Sequence, residues 1–301
     1  MTDRPGTDLV PSVTDPIVTS AIVEAPTVRA APTVSRSRRV ARAVIPPLVL
    51  LAAVIGVWYY VHRFVLSQRR KFVLPYPHDV VRVGFLEWDN LSELLEATWS
   101  STRVAAIGLF LAILLGVAVA TLMSQAKIIE RAMFPMLVAL QAIPILAIVP
   151  LITFWLGTGQ NARVLVCVII SFFPIVLNTL FGLLGADGGL HDLVTLHRGD
   201  RWTRLRKVMF PSALPAMFAG LRISAGLSVV GAIVGDFFFG RGDVGIGQRI
   251  KQYSLNSNYN HQLFAAVIIA SMMGIIVFLL FGALQSAVIG KWHDSKSGGG
   301  R

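Results

Sequence analysis

Long apolar runs, broken by short polar and cationic segments, organise this chain. Residues 43–61, 104–126, 132–161, 164–186 and 263–290 contain no Lys, Arg, Asp or Glu. About 20 apolar residues cross the hydrocarbon core of a bilayer as a helix, so each run predicts one membrane span. A sixth run, 215–239, qualifies with Arg222 near one end and Asp236 near the other. The runs are continuous and do not alternate, which argues against the short two-faced strands of a membrane β-barrel. The fold class predicted is all-α: a polytopic membrane protein with six transmembrane helices.

Composition agrees, with 54% of residues hydrophobic and 14% charged, against roughly 25% charged in soluble domains. The net charge of +11 does not call for nucleic acid, because the basic residues flank the spans. Membrane lipid headgroups and the positive-inside rule account for them. Residues 1–38, rich in Thr, Pro, Val, Ala and Ser without a period, read as a disordered tail. A first helix and external segment (39–99), a core (100–290) carrying a polar loop at 187–215, and a short tail (291–301) follow. With both termini cytoplasmic, most Lys and Arg outside the spans fall on the cytoplasmic side, as the rule requires. The external "LPYPHDVVRVGF" at 74–85 predicts a rigid extended stretch, followed by a short amphipathic helix. The lone Cys167 lies inside the fourth run and predicts an inert, core-like thiol.

Motifs for chemistry are weak. Residues 240–245 read Gly-Arg-Gly-Asp-Val-Gly, but a dinucleotide fingerprint needs a strand before it, and here a span precedes. A flexible loop or tight turn is the expectation. No phosphate-binding P-loop and no paired-Cys or His-Glu-x-x-His spacing occurs, so neither catalysis nor a metal site is expected of this chain. Arg222 and Asp236, about 21 Å apart along a helix, are expected to snorkel at the span ends. No carboxylate lies deep in a run, which disfavours the alternative of a stand-alone secondary carrier or channel.

One loop departs from this blandness. Arg198, Arg201, Arg204 and Lys207 recur every three residues, a cationic stripe beside an apolar stripe of Trp202, Leu205 and Met209. Pro211 is expected to break or kink this helix and Pro215 to start the next. A short helix held at a fixed angle to a span suits force transmission.

The run "RWTRLRKVMFPSALPAMFAGLRISAGLSVVGAIVGDFF" (201–238) resembles the loop and following span of permease subunits of bacterial ATP-binding-cassette importers, nitrate/sulfonate/taurine-type branch. "QAIPILAIVPLITFWLGTGQNARVLVCVIISFFPIVLNTLFGL" (141–183) and "GIGQRI" (245–250) extend the resemblance over roughly 74–290. It implies the type I importer permease fold and a bacterial cytoplasmic-membrane location. The partners implied are a second permease copy, two ATPase subunits and an external solute-binding protein. The chain itself would bind no cofactor; ATP and Mg would bind the ATPase. The family's loop opens Glu-Ala-Ala with a glycine six residues after the Glu. Those positions here are Asp192-Leu193-Val194 and Arg198, with Gly199 displaced by one. By resemblance, Asp192, Arg198, Gly199, Arg201, Trp202, Leu205, Pro211 and Pro215 couple to the ATPase.

Candidates for the translocation path are Gln141, Thr153, Trp155, Ser171, Asn178 and Arg222, polar or amphipathic residues within the spans. The rival role for each is an interhelical hydrogen bond or an interface anchor. Pro144, Pro150 and Pro174 are expected to interrupt helices and free carbonyls. The solute would be an oxyanion, a sulfonate or an aromatic vitamin precursor, selected by the binding protein.

Overall fold

The computed structural model describes residues 36–293, with side chains between 44 and 288. The expected tail up to residue 35 and the chain beyond 293 lie outside those residues. All regular structure among the described residues is helical. The chain divides after Val54 into two units. The first, where described, is the opening of helix α1 (Arg36–Tyr60). It begins within the cationic cluster, and its Val, Leu and Ile side chains are exposed, as a lipid-facing helix allows.

In the second unit α1 ends in a π turn, Val61–Val65, followed by a 3-10 turn, Gln68–Val73, and α2 (Pro77–Val81). Pro77 opens α2 where the missing N–H has no intrahelical partner to lose, so the stretch expected to be extended turns helical already at Pro77. The Trp58 indole donates to the Pro75 carbonyl at 2.9 Å. Buried His62 meets the Leu74 carbonyl at 2.5 Å and the Tyr76 ring, so this segment is held against the end of α1.

Next come α3 (Trp88–Gln125), α4 (Lys127–Ala142), α5 (Ile145–Leu156) and α6 (Gln160–Leu184). The run at 132–161, read as one span that Pro144 interrupts, is bent by 95° between α4 and α5. Pro144 lacks an N–H and forces Ile143 into an extended conformation (φ −73°, ψ 121°), which ends α4. Pro150 and Pro174, expected to interrupt in the same way, lie inside continuous α5 and α6. Among the described residues five helices suffice to cross a membrane, or six if the bent pair is one span.

The loop forms α7 (Gly188–Leu196) and α8 (Arg201–Arg204), then a π turn, Leu205–Met209, leading into α9 (Phe210–Phe238). Pro211 does not break the chain here, contrary to expectation. A π turn carries one extra residue per turn, and this one precedes the proline where a regular α-helix would miss a bond. Pro215 likewise sits within α9, so α8 and α9 form one continuous rod, Arg201–Phe238. The chain closes with α10 (Ile246–Ser254) and α11 (Asn260–His293).

The centre of this unit is an antiparallel pair, α6 against α9. Gly182 meets Ala213, Gly220 meets Asn178, Gly231 meets Cys167 and Gly235 meets Arg163. A Cβ at Gly231 would sit 2.8 Å from the Cys167 Cα, closer than packed atoms tolerate, so the small residues set the interaxial approach. Between them the Ser224 hydroxyl donates to the Ser171 carbonyl at 2.7 Å. Cys167 is free and fully buried between Gly108 of α3 and Gly231, as an inert core thiol should be.

Candidate functional site

The polar loop between α6 and α9 becomes two short helices joined by a tight turn. Asp187 caps α7, accepting from Gly189 N–H at 2.7 Å, and Asp200 caps α8, accepting from Thr203 N–H at 2.8 Å. Short polar side chains of this kind satisfy the open N–H groups of a first helical turn. The Thr203 hydrogen bonds hold the Asp200 carboxyl below its ordinary range. The Arg204 guanidinium reaches back to the Thr195 hydroxyl at 3.1 Å, fastening α8 to α7.

Arg198, which occupies the place of the family glycine, has φ 52°, the left-handed conformation that glycine adopts without penalty. Gly199 has an ordinary φ but is also confined: a Cβ there would press on the Val194 side chain.

The apolar stripe seen in the sequence divides in two. Leu205, 5% exposed, and Met209 are buried on Leu183 and Ala213, at the junction of α6 and α9. Trp202, by contrast, is 65% exposed, and Leu196 at the end of α7 is 82% exposed. Leu193, Asp192, Arg198 and Arg201 are exposed beside them. Leu205 therefore anchors the loop within the protein, whereas Trp202, Leu193 and Leu196 are its exposed apolar side chains. Sequence periodicity placed Leu205 with Trp202; nothing in a stripe tells which member meets its own chain. A cavity of about 320 Å³ between α3, α7 and α8, reached by Gln125, His191, Arg201 and Arg204, separates the loop from the end of α3.

The six residues proposed for a path lie on α4, α5, α6 and α9. Gln141 borders a cavity of about 340 Å³ at the α4–α5 bend, with Pro144, Phe172, Phe173 and Pro174. Thr153 bonds to its own helix at the Val149 carbonyl, and Asn178 to the Pro174 carbonyl at 2.8 Å. The Ser171 carbonyl is the interhelical acceptor already described. Trp155 is exposed on α5. Arg222 stacks on Phe278 of α11, 3.9 Å from the ring centroid, and touches Gly282. It is thus held against α11.

At the far end of α9 the sequence reading needs correction. Asp236 does not snorkel. It is 1% exposed and pairs with Arg163 of α6, itself 2% exposed, at 2.5 Å. The Ser101 hydroxyl of α3 donates to Asp236 at 2.5 Å and accepts from Ile246 N–H at 2.8 Å; Gly247 N–H donates to the same carboxylate at 3.2 Å. The Arg163 guanidinium also donates to the Asp243 carbonyl at 2.8 Å and the Ser100 hydroxyl at 3.3 Å. The glycines of 240–247 are accounted for in part: a Cβ at Gly245 would overlap the Asp236 carboxylate. Nearby, Arg103 pairs with Asp243 at 2.9 Å and Arg249 with Glu93 at 2.6 Å. Tyr253 donates to Glu93 at 3.0 Å; burial, reinforced by that carboxylate, pushes its phenol up to about 12.

Comparison with known proteins supplies the remaining facts. The family described as Binding-protein-dependent transport system inner membrane component matches residues 112–290. A formylaminopyrimidine transport permease protein of Halalkalibacterium halodurans is 31% identical over 220 residues, covering 72% of this chain and 85% of its own. A riboflavin transport system permease protein of Chloroflexus aurantiacus is 34% identical over 167 residues, covering 56% of this chain and 61% of its own. Among solved structures, an inward-facing MetNI methionine ABC transporter aligns with a TM-score of 0.59 at 18% identity, covering 67% of this chain and 99% of that one; the likeness is one of fold.

Proposed function

This chain belongs to the family of binding-protein-dependent transport system inner membrane components, and from that premise we propose how it works. It is the membrane-spanning permease subunit of an ATP-driven importer, with a separate ATPase and a solute-binding protein as partners. Our reading is that two copies of the chain assemble with two ATPase subunits. Both termini and the α7–α8 loop face the cytoplasm; the loop 239–245 and α10 face outward, where the binding protein delivers solute. ATP and Mg belong to the ATPase, and no residue of this chain is assigned a catalytic role.

The observation that carries the reading is the two-sided construction of the loop. Leu205 and Met209 anchor it on Leu183 and Ala213, while Trp202, Leu193 and Leu196 stand exposed beside Arg198 and Arg201. Exposed aromatic and aliphatic side chains ringed by arginine are the usual anchors of a protein–protein contact. A partner that moves this face moves α8, and α8 is continuous with the 38-residue rod Arg201–Phe238. ATP-driven closure of two motor subunits would thus rock α9 and α6 between two packing states.

The solute is proposed to be a small oxyanion or sulfonate, or an aromatic vitamin precursor of the kind named for the pyrimidine and riboflavin relatives. The test is co-purification in mild detergent. Intact protein should bring down its ATPase, and Trp202→Ala with Leu196→Ala should lose it while staying monodisperse. Retention of the ATPase by that variant would remove the loop from the contact.

A further inference from the structure

We propose that Arg163 and Asp236 are positioning residues for transport. They form a clasp that carries motion entering at α8 across the membrane to the outer mouth. The inference rests on the importer reading above and concerns the end of the molecule opposite the ATPase.

The clasp joins five separate pieces of chain. Arg163 comes from the first turn of α6 and Asp236 from the last turn of α9. Ser100 and Ser101 belong to α3, Asp243 to the loop, and Ile246 and Gly247 open α10. Arg163 holds the Asp243 carbonyl as well as Asp236, and Ser101 links Asp236 to Ile246 N–H. Loop 239–245 and α10 are therefore hydrogen-bonded to the ends of α6 and α9. At the other end of the same pair, Leu205 is packed on Leu183 and Ala213. The two helices are thus fastened at both termini, with glycine and serine contacts between.

Stability alone does not call for such a group. A buried ion pair gains little over well-packed apolar residues of equal volume, because both charges must be stripped of water. What charges provide here is direction: one carboxylate can hold a guanidinium, a hydroxyl and an N–H from three elements at once, in one geometry. Glycine contacts between the fastened ends allow the pair to adjust against α3, while the clasp keeps loop 239–245 and α10 in step with α9.

The test uses the permease in complex with the ATPase that co-purifies with it, reconstituted in lipid nanodiscs. Spin labels at Arg206→Cys report the cytoplasmic end, and labels at Arg241→Cys the outer end. Buried Cys167 stays unlabelled. Distances between the two copies are measured without nucleotide and with trapped ATP, alongside solute uptake per ATP hydrolysed in proteoliposomes supplied with the cognate binding protein. In the intact chain both distances should shift. Asp236→Asn should leave the cytoplasmic shift and ATP hydrolysis in place, abolish the outer shift, and reduce uptake per ATP by about tenfold. Ser101→Ala removes one hydroxyl and keeps the ion pair; it should shrink the outer shift alone, and it decides the matter if Asp236→Asn does not assemble. An outer shift of intact size in Ser101→Ala, with normal uptake per ATP, overturns the clasp. Absence of any nucleotide-dependent shift in the intact complex would overturn the importer reading itself, a different result from failure of the variants alone.

Discussion

Truncating Leu205 and truncating Trp202 should have opposite consequences, although both lie on one stripe of the same short helix. Leu205 is 5% exposed and packed among Leu183, Met209 and Ala213. Removing its isobutyl group forfeits buried apolar contact and leaves a cavity that the helix junction fills only partly. Leu→Ala changes at such sites cost about 2–5 kcal/mol. At roughly 2–4 °C per kcal/mol for a chain of this size, a fall in Tm on the order of 5–15 °C is expected. Trp202 is 65% exposed, so its truncation should change stability by no more than about 0.5 kcal/mol. As an interface anchor it should instead cost about 2–4 kcal/mol of ATPase binding, a loss of roughly 30- to 1,000-fold in affinity. The assay is thermal unfolding of each variant in one detergent, paired with titration of the purified ATPase. A Tm unchanged by Leu205→Ala, or ATPase affinity unchanged by Trp202→Ala, refutes the division of the stripe into an inner and an outer side.

Further expectations follow from the same geometry. Arg198→Gly should hold or raise stability, by at most about 1 kcal/mol, because it relieves a left-handed side-chain conformation. Gly199→Ala should lower stability because its Cβ meets Val194; the order of the two melting temperatures checks both. The depressed Asp200 carboxyl contributes stability that is present above about pH 3.8, its ordinary value, and fades as pH falls through its lower folded value. The difference in Tm between the intact protein and Asp200→Ala should shrink on acidification below that point. Tyr253 has the opposite sign: its pKa is raised from 10.0 to about 12, so its contribution is complete below pH 10 and is lost as pH climbs towards 12. Tyr253→Phe should flatten that part of the alkaline unfolding profile, read by circular dichroism.

What could be read from the sequence was whatever depends on continuous chain. The apolar runs located the membrane helices, and the proline at 144 marked a break whose 95° angle only packing could set. Pro150, Pro174 and Pro211 looked the same as Pro144 on the page. They nevertheless remain within helices, Pro211 directly after a π turn. The Arg163–Asp236 pair was hidden by distance along the chain. In the sequence Arg163 stands between two apolar runs, as a loop cation would, and Asp236 looks like a residue at a span end. Only the antiparallel register of α6 and α9 brings them together. The loop's cationic and apolar stripes were legible, but its inner and outer sides were not. Among the polar path candidates, the Thr153 and Asn178 side chains already bond to carbonyls of their own helices, which a list of polar residues does not reveal.

The most direct measurement places a photo-crosslinking amino acid at one of two sites in the assembled complex in native membranes. One site is Leu196, 82% exposed on α7; the other is Arg241, exposed in the loop beyond α9. Coupling through α7 and α8 predicts that the ATPase is captured from position 196 and never from 241. Capture of the ATPase from 241, or none from 196 while the complex is shown to be intact, would contradict it.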